Sequence, residues 1–157
     1  MFIAAIVMVA GPAFAQEDAV RATHGDWEVR CGAGGDCYIF QLANNAAGAP
    51  VIAAAIQPVT GQNAEVRAML RLQAPLGVLL PRGLEMRIDG GEAIGAPFLF
   101  CDGSGCISQI GLGEEGLATL RRGAAAVVRV YSIQEPDTAV EARVSLMGFT
   151  RAYQDLN

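Results

Sequence analysis

The chain has 157 residues, 52% of them hydrophobic, a net charge of −5, and 11 basic residues that are all arginine. Its isoelectric point near 4.8 excludes the basic surface that nucleic-acid binding requires and equally disfavours docking on anionic lipid. The length suits one ordinary domain with a real hydrophobic core.

The chain opens MFIAAIVMVAGPAFAQEDA. An apolar stretch from Phe2 to Ala10 is broken by Gly11-Pro12 and followed by Ala13-Phe14-Ala15, an A-x-A cleavage pattern. Residues 1–15 therefore read as a secretory signal peptide, and 16–157 as a single β-sandwich domain that is periplasmic or secreted. The stretch is shorter than the roughly 20 apolar residues needed to cross a bilayer. No cysteine follows the cleavage site to carry a lipid, so no stable membrane anchor is expected. No Lys or Arg precedes the apolar run; a start upstream of Met1 would supply one.

Period-two alternation then marks the strands. In Asp26–Cys31, Trp27, Val29 and Cys31 share one face; Cys37–Leu42 and Val51–Ile56 are apolar on both. Val66–Ala74 buries Val66, Ala68, Leu70 and Leu72 against Arg67, Arg71 and Gln73. Leu84–Asp89 sets Leu84, Met86 and Ile88 against Glu85, Arg87 and Asp89. Pro97–Cys101 and Ala124–Ile133 are again apolar on both faces, and Val140–Phe149 alternates through Val140, Ala142, Val144 and Leu146. Turn signals rich in Gly, Asn, Asp and Pro separate most pairs. One helix stands out in GLGEEGLATLRRG: Glu114 and Glu115 open it and Arg121 and Arg122 close it, matching the helix dipole. Gly123 is expected to stop it in the left-handed conformation. The fold expected is all-β, an antiparallel β-sandwich or partly closed barrel, with one short α-helix near residues 113–122.

The cysteines bracket short Gly-rich loops, Cys31-GAGGD-Cys37 and Cys101-DGSG-Cys106. An even number in an exported chain favours disulfides, and two local bridges across hairpins are the economical connectivity. Redox pairs more typically read C-x-x-C and zinc pairs C-x2-4-C.

Several stretches taken in order carry a resemblance: HGDWEVRC (24–31), CYIFQ (37–41), PLGVLLPRGLEMRIDGG (75–91), PFLFCDGSGC (97–106), LATLRRG (117–123) and VSLMGFTRAY (144–153). Together they resemble the invasion-associated locus B family of secreted proteins from Gram-negative bacteria. The resemblance implies a periplasmic or envelope-exposed protein with an all-β, sandwich-like fold. The family takes its name from a member linked to entry into host red cells. It has no established catalytic residues or cofactor, so none is carried over.

Candidate chemistry is sparse. His24 is the sole histidine, with Asp26 near in sequence, but no Gly-x-Ser-x-Gly elbow accompanies them. Glu114 and Glu115 are adjacent at a helix start, which the dipole explains better than a glycosidase pair does. Asp102-Gly103-Ser104-Gly105 and Asp89-Gly90-Gly91-Glu92 read as turns, lacking the acidic ladder of a calcium loop. No metal or cofactor is expected. Outward arginines Arg30, Arg67, Arg71, Arg87 and Arg143 would line a carboxylate- or phosphate-gripping face if their strands adjoin; otherwise they pair with Glu28, Glu85 and Glu141. Leu76, Val78, Leu79 and Leu80, between Pro75 and Pro81, either pack over an open end of the core or expose an apolar patch. The function expected is an exported non-enzymatic envelope protein that binds a protein or another envelope component. The alternatives are a hydrolase assembled around His24 or a disulfide redox protein.

Overall fold

A computed structural model describes residues 18–61 and 65–156; the segment read as a signal peptide lies outside the described residues. Five strands come first: β1 (Ala19–His24), β2 (Trp27–Cys31), β3 (Cys37–Asn44), β4 (Pro50–Pro58) and β5 (Ala68–Ala74). A 3-10 turn, Leu80–Arg82, leads to β6 (Leu84–Ile88), β7 (Ile94–Ala96), β8 (Phe98–Asp102) and β9 (Gly105–Leu112). Helix α1 (Glu114–Arg122), β10 (Ala125–Tyr131), β11 (Ala139–Ser145) and helix α2 (Phe149–Gln154) complete the domain.

All strand pairs are antiparallel and belong to one sheet, ordered β7-β6-β10-β11-β3-β4-β5-β9-β8, with β2 and then β1 added beside β3. The two ends of that order meet: only Pro97 separates β7 from β8, and the buried Ser108 hydroxyl on β9 donates to the Pro97 carbonyl at 2.8 Å. The sheet thus curls into a nearly closed barrel, which is the second of the two architectures the alternation allows.

Alternation places the core. Trp27, Ile39, Ile52, Ile56, Leu72 and Val128 point inward and are fully buried. Full burial of side chains this size contributes about 1.5–3 kcal/mol each. The Ala-rich segment at Val51–Ile56 is a strand because β3 and β5 pair with both of its edges. Leu117 and Leu120 of α1 are buried, Leu120 among Trp27, Leu70 and Met86 at one end of the barrel.

Two local expectations need correction. Gly123 is extended, at φ −75° and ψ 158°, not left-handed. Space favours glycine there, since a Cβ would lie 2.7 Å from Leu146 Cδ1 and 2.9 Å from Ile88 Cγ2 and those side chains would have to shift. The final strand also ends at Ser145, four residues before Phe149, and the chain turns into α2, a second helix that alternation did not disclose. Gly148 makes the turn at φ 85°, and a side chain there would collide with the His24 carbonyl. Gly25, at φ 56°, abuts the Met147 carbonyl from the other side. The β1–β2 and β11–α2 turns therefore pack backbone against backbone, and the Asp26 amide donates to the Met147 carbonyl at 3.1 Å. Phe149 follows, its ring edge-on to Trp27 at 5.8 Å and stacked on Tyr153 at 5.9 Å.

Both hairpin staples form. Cys31 bonds Cys37 and Cys101 bonds Cys106, with Cα separations of 4.1 and 4.0 Å, and each pair sits face to face in the strand register. Arg21 lies 3.6 Å from the Cys31 sulfur, whereas Cys106 is buried.

Candidate functional site

The arginines singled out from sequence do not form one face. Arg87 on β6 and Arg143 on β11 are separated by β10, and β3 and β4 lie between Arg143 and Arg71 on β5. Arg30 is held by Glu28 at 2.6 Å and stacks 4.0 Å above the Phe40 ring. Arg87 pairs with Glu85 at 2.8 Å. Arg129 carries no signal in the sequence, because it sits in an apolar run; its strand register places it between Glu85 on β6 and Glu141 on β11. It pairs with Glu141 at 2.6 Å and Glu85 at 3.7 Å, and those carboxylates raise its pKa. Among the described residues, no carboxylate lies within 4.0 Å of the guanidinium of Arg67, Arg71 or Arg143.

The Pro75–Pro81 run is divided. Val78 is buried and forms a bridge to Ser132, and the Leu79 amide donates to the Tyr131 carbonyl at 2.7 Å. Leu76 and Leu80 remain 58% and 49% exposed, and the amide of the exposed Ile133 donates to the Gly77 carbonyl.

Among the clefts of the described residues, two on the outer surface hold the unpaired arginines Arg143 and Arg71. The first, of about 470 Å³, is a wedge at β3. One edge of β3 pairs with β2 from Cys37 to Phe40, then with β11 at Asn44. Between these partners the strands splay. Continuing the β11 ladder by two residue pairs would set Ser145 opposite Leu42, but the buried Gln41 side chain takes that role. Its Oε1 accepts from the Ser145 amide at 2.7 Å and its Nε2 donates to the Ser145 carbonyl at 3.0 Å. The Trp27 indole N–H donates to the same carbonyl at 2.9 Å. Asp26, Glu28 and Arg30 line one wall, Arg30 paired with Glu28, and Arg143 lines the other, with Asn44 and Asn45 at the far end.

The second cleft, of about 380 Å³, runs over β4. Ala53 and Ala55 form a low floor between Tyr38 and Phe40 on β3 and Met69 and Arg71 on β5. Tyr38 is raised in pKa, first by burial and then by donating its hydroxyl to Asp18 at 2.7 Å. Gln57 and Gln109 add exposed amides.

His24 lines neither cleft. Its Nε2 meets the Asp155 carboxylate at the end of α2, so the ring fastens the C-terminal helix to β1. Asp89 and Asp102 are likewise committed to structure. Asp89 accepts from the Ala125 and Ala124 amides, and Asp102 from the Ser104 hydroxyl and amide, and these bonds lower both pKa values. Among the described residues no cluster of His, Cys, Asp and Glu is placed to hold a metal, and no helix is long and apolar enough to cross a membrane.

The architecture defines a class: a disulfide-stapled antiparallel barrel whose polar clefts lie on the outside of the sheet. The chain belongs to the Invasion associated locus B (IalB) protein family, whose model matches residues 27–157. Among solved structures it is similar to the crystal structure of invasion associated protein b from Bartonella henselae, with a TM-score of 0.70 and 24% sequence identity. That match covers 86% of this chain and 94% of the other, and it establishes the shared fold. No curated protein matches the sequence.

Proposed function

We propose that this protein is an exported, non-enzymatic envelope component, periplasmic or secreted after removal of residues 1–15, that works by binding a protein or another envelope component. The observation that carries the reading is the pair of outer clefts holding Arg143 and Arg71, guanidinium groups that no carboxylate neutralises within 4.0 Å among the described residues. A guanidinium with no carboxylate bonded to it, beside exposed amides, is a recognition group for carboxylate-bearing partners. Family membership supports an envelope role. The similar Bartonella henselae protein is named for its association with invasion, which supports interaction with a host cell as one use of that role. His24 contributes by holding α2 against β1, and the cysteines by stapling hairpins.

Crosslinking in intact cells, followed by purification of the tagged full chain, tests this. A reproducible partner is expected, diminished when Arg71→Gln and Arg143→Gln are combined. Repeated recovery of the chain alone would overturn the proposal.

A further inference from the structure

The wedge at β3 offers more than an open guanidinium. The Cys31–Cys37 facing pair has a Cα separation of 4.1 Å, the spacing of a non-hydrogen-bonded pair. Alternation along β3 then makes Phe40, Leu42 and Asn44 the residues whose N–H and C=O point toward the β2/β11 edge. Phe40 is answered by Glu28 and Asn44 by Arg143. Leu42 has no strand partner on that edge, because Gln41 has taken the Ser145 peptide groups that would have met it. A donor and an acceptor at strand spacing thus face the cleft.

We infer that the wedge binds the end of an extended peptide, one residue pairing with the Leu42 backbone and the terminal carboxylate lying against Arg143. This inference rests on the binding role proposed above and names its ligand class. Exposed N–H and C=O groups on a strand are the basis of recognition by strand addition, and terminal carboxylates are a recurring handle in such sites. Charge complementarity selects the class. Arg143 presents a positive group on the β11 wall that no carboxylate holds, whereas on the β2 wall Arg30 is already paired with Glu28 and Asp26 adds a carboxylate. A single terminal carboxylate fits beside Arg143, while a phosphate or polyanion would also meet the Asp26 carboxylate across the cleft. The side-chain amide of Asn44, which makes no hydrogen bond to another described residue, stands next to Arg143 in the register and can take the second carboxylate oxygen. The cleft volume of about 470 Å³ is in the range of ligand sites.

The probe is a fluorescein-labelled pool of Xaa-Val-Xaa-Val tetrapeptides, labelled at the N-terminus, with either free or amidated carboxyl termini. Binding to the full chain is followed by anisotropy and by amide chemical shifts. Saturable binding of the free-acid pool is expected, with shifts at Leu42, Asn44 and Arg143. Amidation of the peptide and Arg143→Gln should each weaken it about tenfold or more, the scale of one lost charged hydrogen-bonded pair. Methylating the peptide nitrogen of the pairing residue should weaken it too, with no change to the protein. Equal binding of acid and amide, or no binding of either, would overturn the inference. So would shifts confined to Tyr38, Ala55 and Arg71, though that result, like a crosslinked partner kept by the Arg143→Gln chain, would leave the broader binding role standing.

Discussion

Along one edge β3 pairs with β4 from Ile39 to Asn44, interrupted only by a bulge at Ala43/Asn44, whereas along the other it changes partner from β2 to β11 and leaves Leu42 between them. The residue types on β3 do not differ between its two edges, since both belong to the same backbone. The difference comes from what is fastened nearby. β4 follows β3 through a tight turn in which Asn45 Oδ1 accepts from the Ala47 and Ala49 amides, each at 3.0 Å. β2 reaches the other edge through its own stapled hairpin, whereas β11 arrives from far along the chain, and Trp27, Gln41 and the Gly25–Gly148 contact fix where the two meet. The β3 edge is sealed where one strand runs along it, and opens where two strands share it.

The largest disturbance of the open edge should come from Phe149→Ala. It removes the ring that backs Trp27, and is expected to destabilise the fold by about 3–5 kcal/mol, measured by urea denaturation. Next, replacing Cys31 and Cys37 together by serine frees the hairpin that delivers β2 to β3. A loss of about 2–3 kcal/mol is expected from the chain-entropy model. The same change at Cys101 and Cys106, outside the wedge, should cost at least as much because Cys106 is buried, yet leave the wedge amide shifts unmoved. Gln41→Met keeps the bulk but leaves the Ser145 N–H and C=O without that partner, and should cost about 1–3 kcal/mol. If stability were unchanged, the Gln41 amide would not be what terminates the β11 ladder.

A smaller effect belongs to the sealed half. The Ala125 and Ala124 amides hold Asp89 below its ordinary value of 3.8. Its contribution to stability is therefore present above that value and is lost as pH falls through the folded value. Asp89→Asn should lower stability at neutral pH and flatten the acid limb of the stability profile, measured by urea denaturation across pH. Smallest of all is a local difference read by hydrogen exchange: the Leu42 amide should exchange faster than those of Ile39 and Gln41, which point to β4. Equal protection would mean that the edge is closed.

Much of the scaffold was legible residue by residue. Trp27 and Val29, Leu70 and Leu72, Leu84 and Met86, and Ala142 and Val144 lie inward as alternation requires. The charge asymmetry of Glu114-Glu115 against Arg121-Arg122 marked α1. The candidate site was less legible. Arg71 and Arg143 were recognised as outward, but nothing local distinguishes them from Arg87, whose partner Glu85 is only two residues away. α2 had a faint signal in the helical spacing of Phe149, Ala152 and Tyr153, hidden because Leu146 continued the preceding alternation.

The sequence by itself determined the strands with one wet face, the stapled hairpins and the first helix. These depend on side-chain period, turn chemistry and loop closure, which act over a few residues. Only the tertiary structure decided that the sheet curls into a barrel, that His24 meets Asp155, and that Gln41 and Trp27 converge on Ser145. Those contacts span 131, 104 and 118 positions along the chain. Their energy depends on which backbone groups the rest of the fold leaves unpaired, a condition that no local pattern carries.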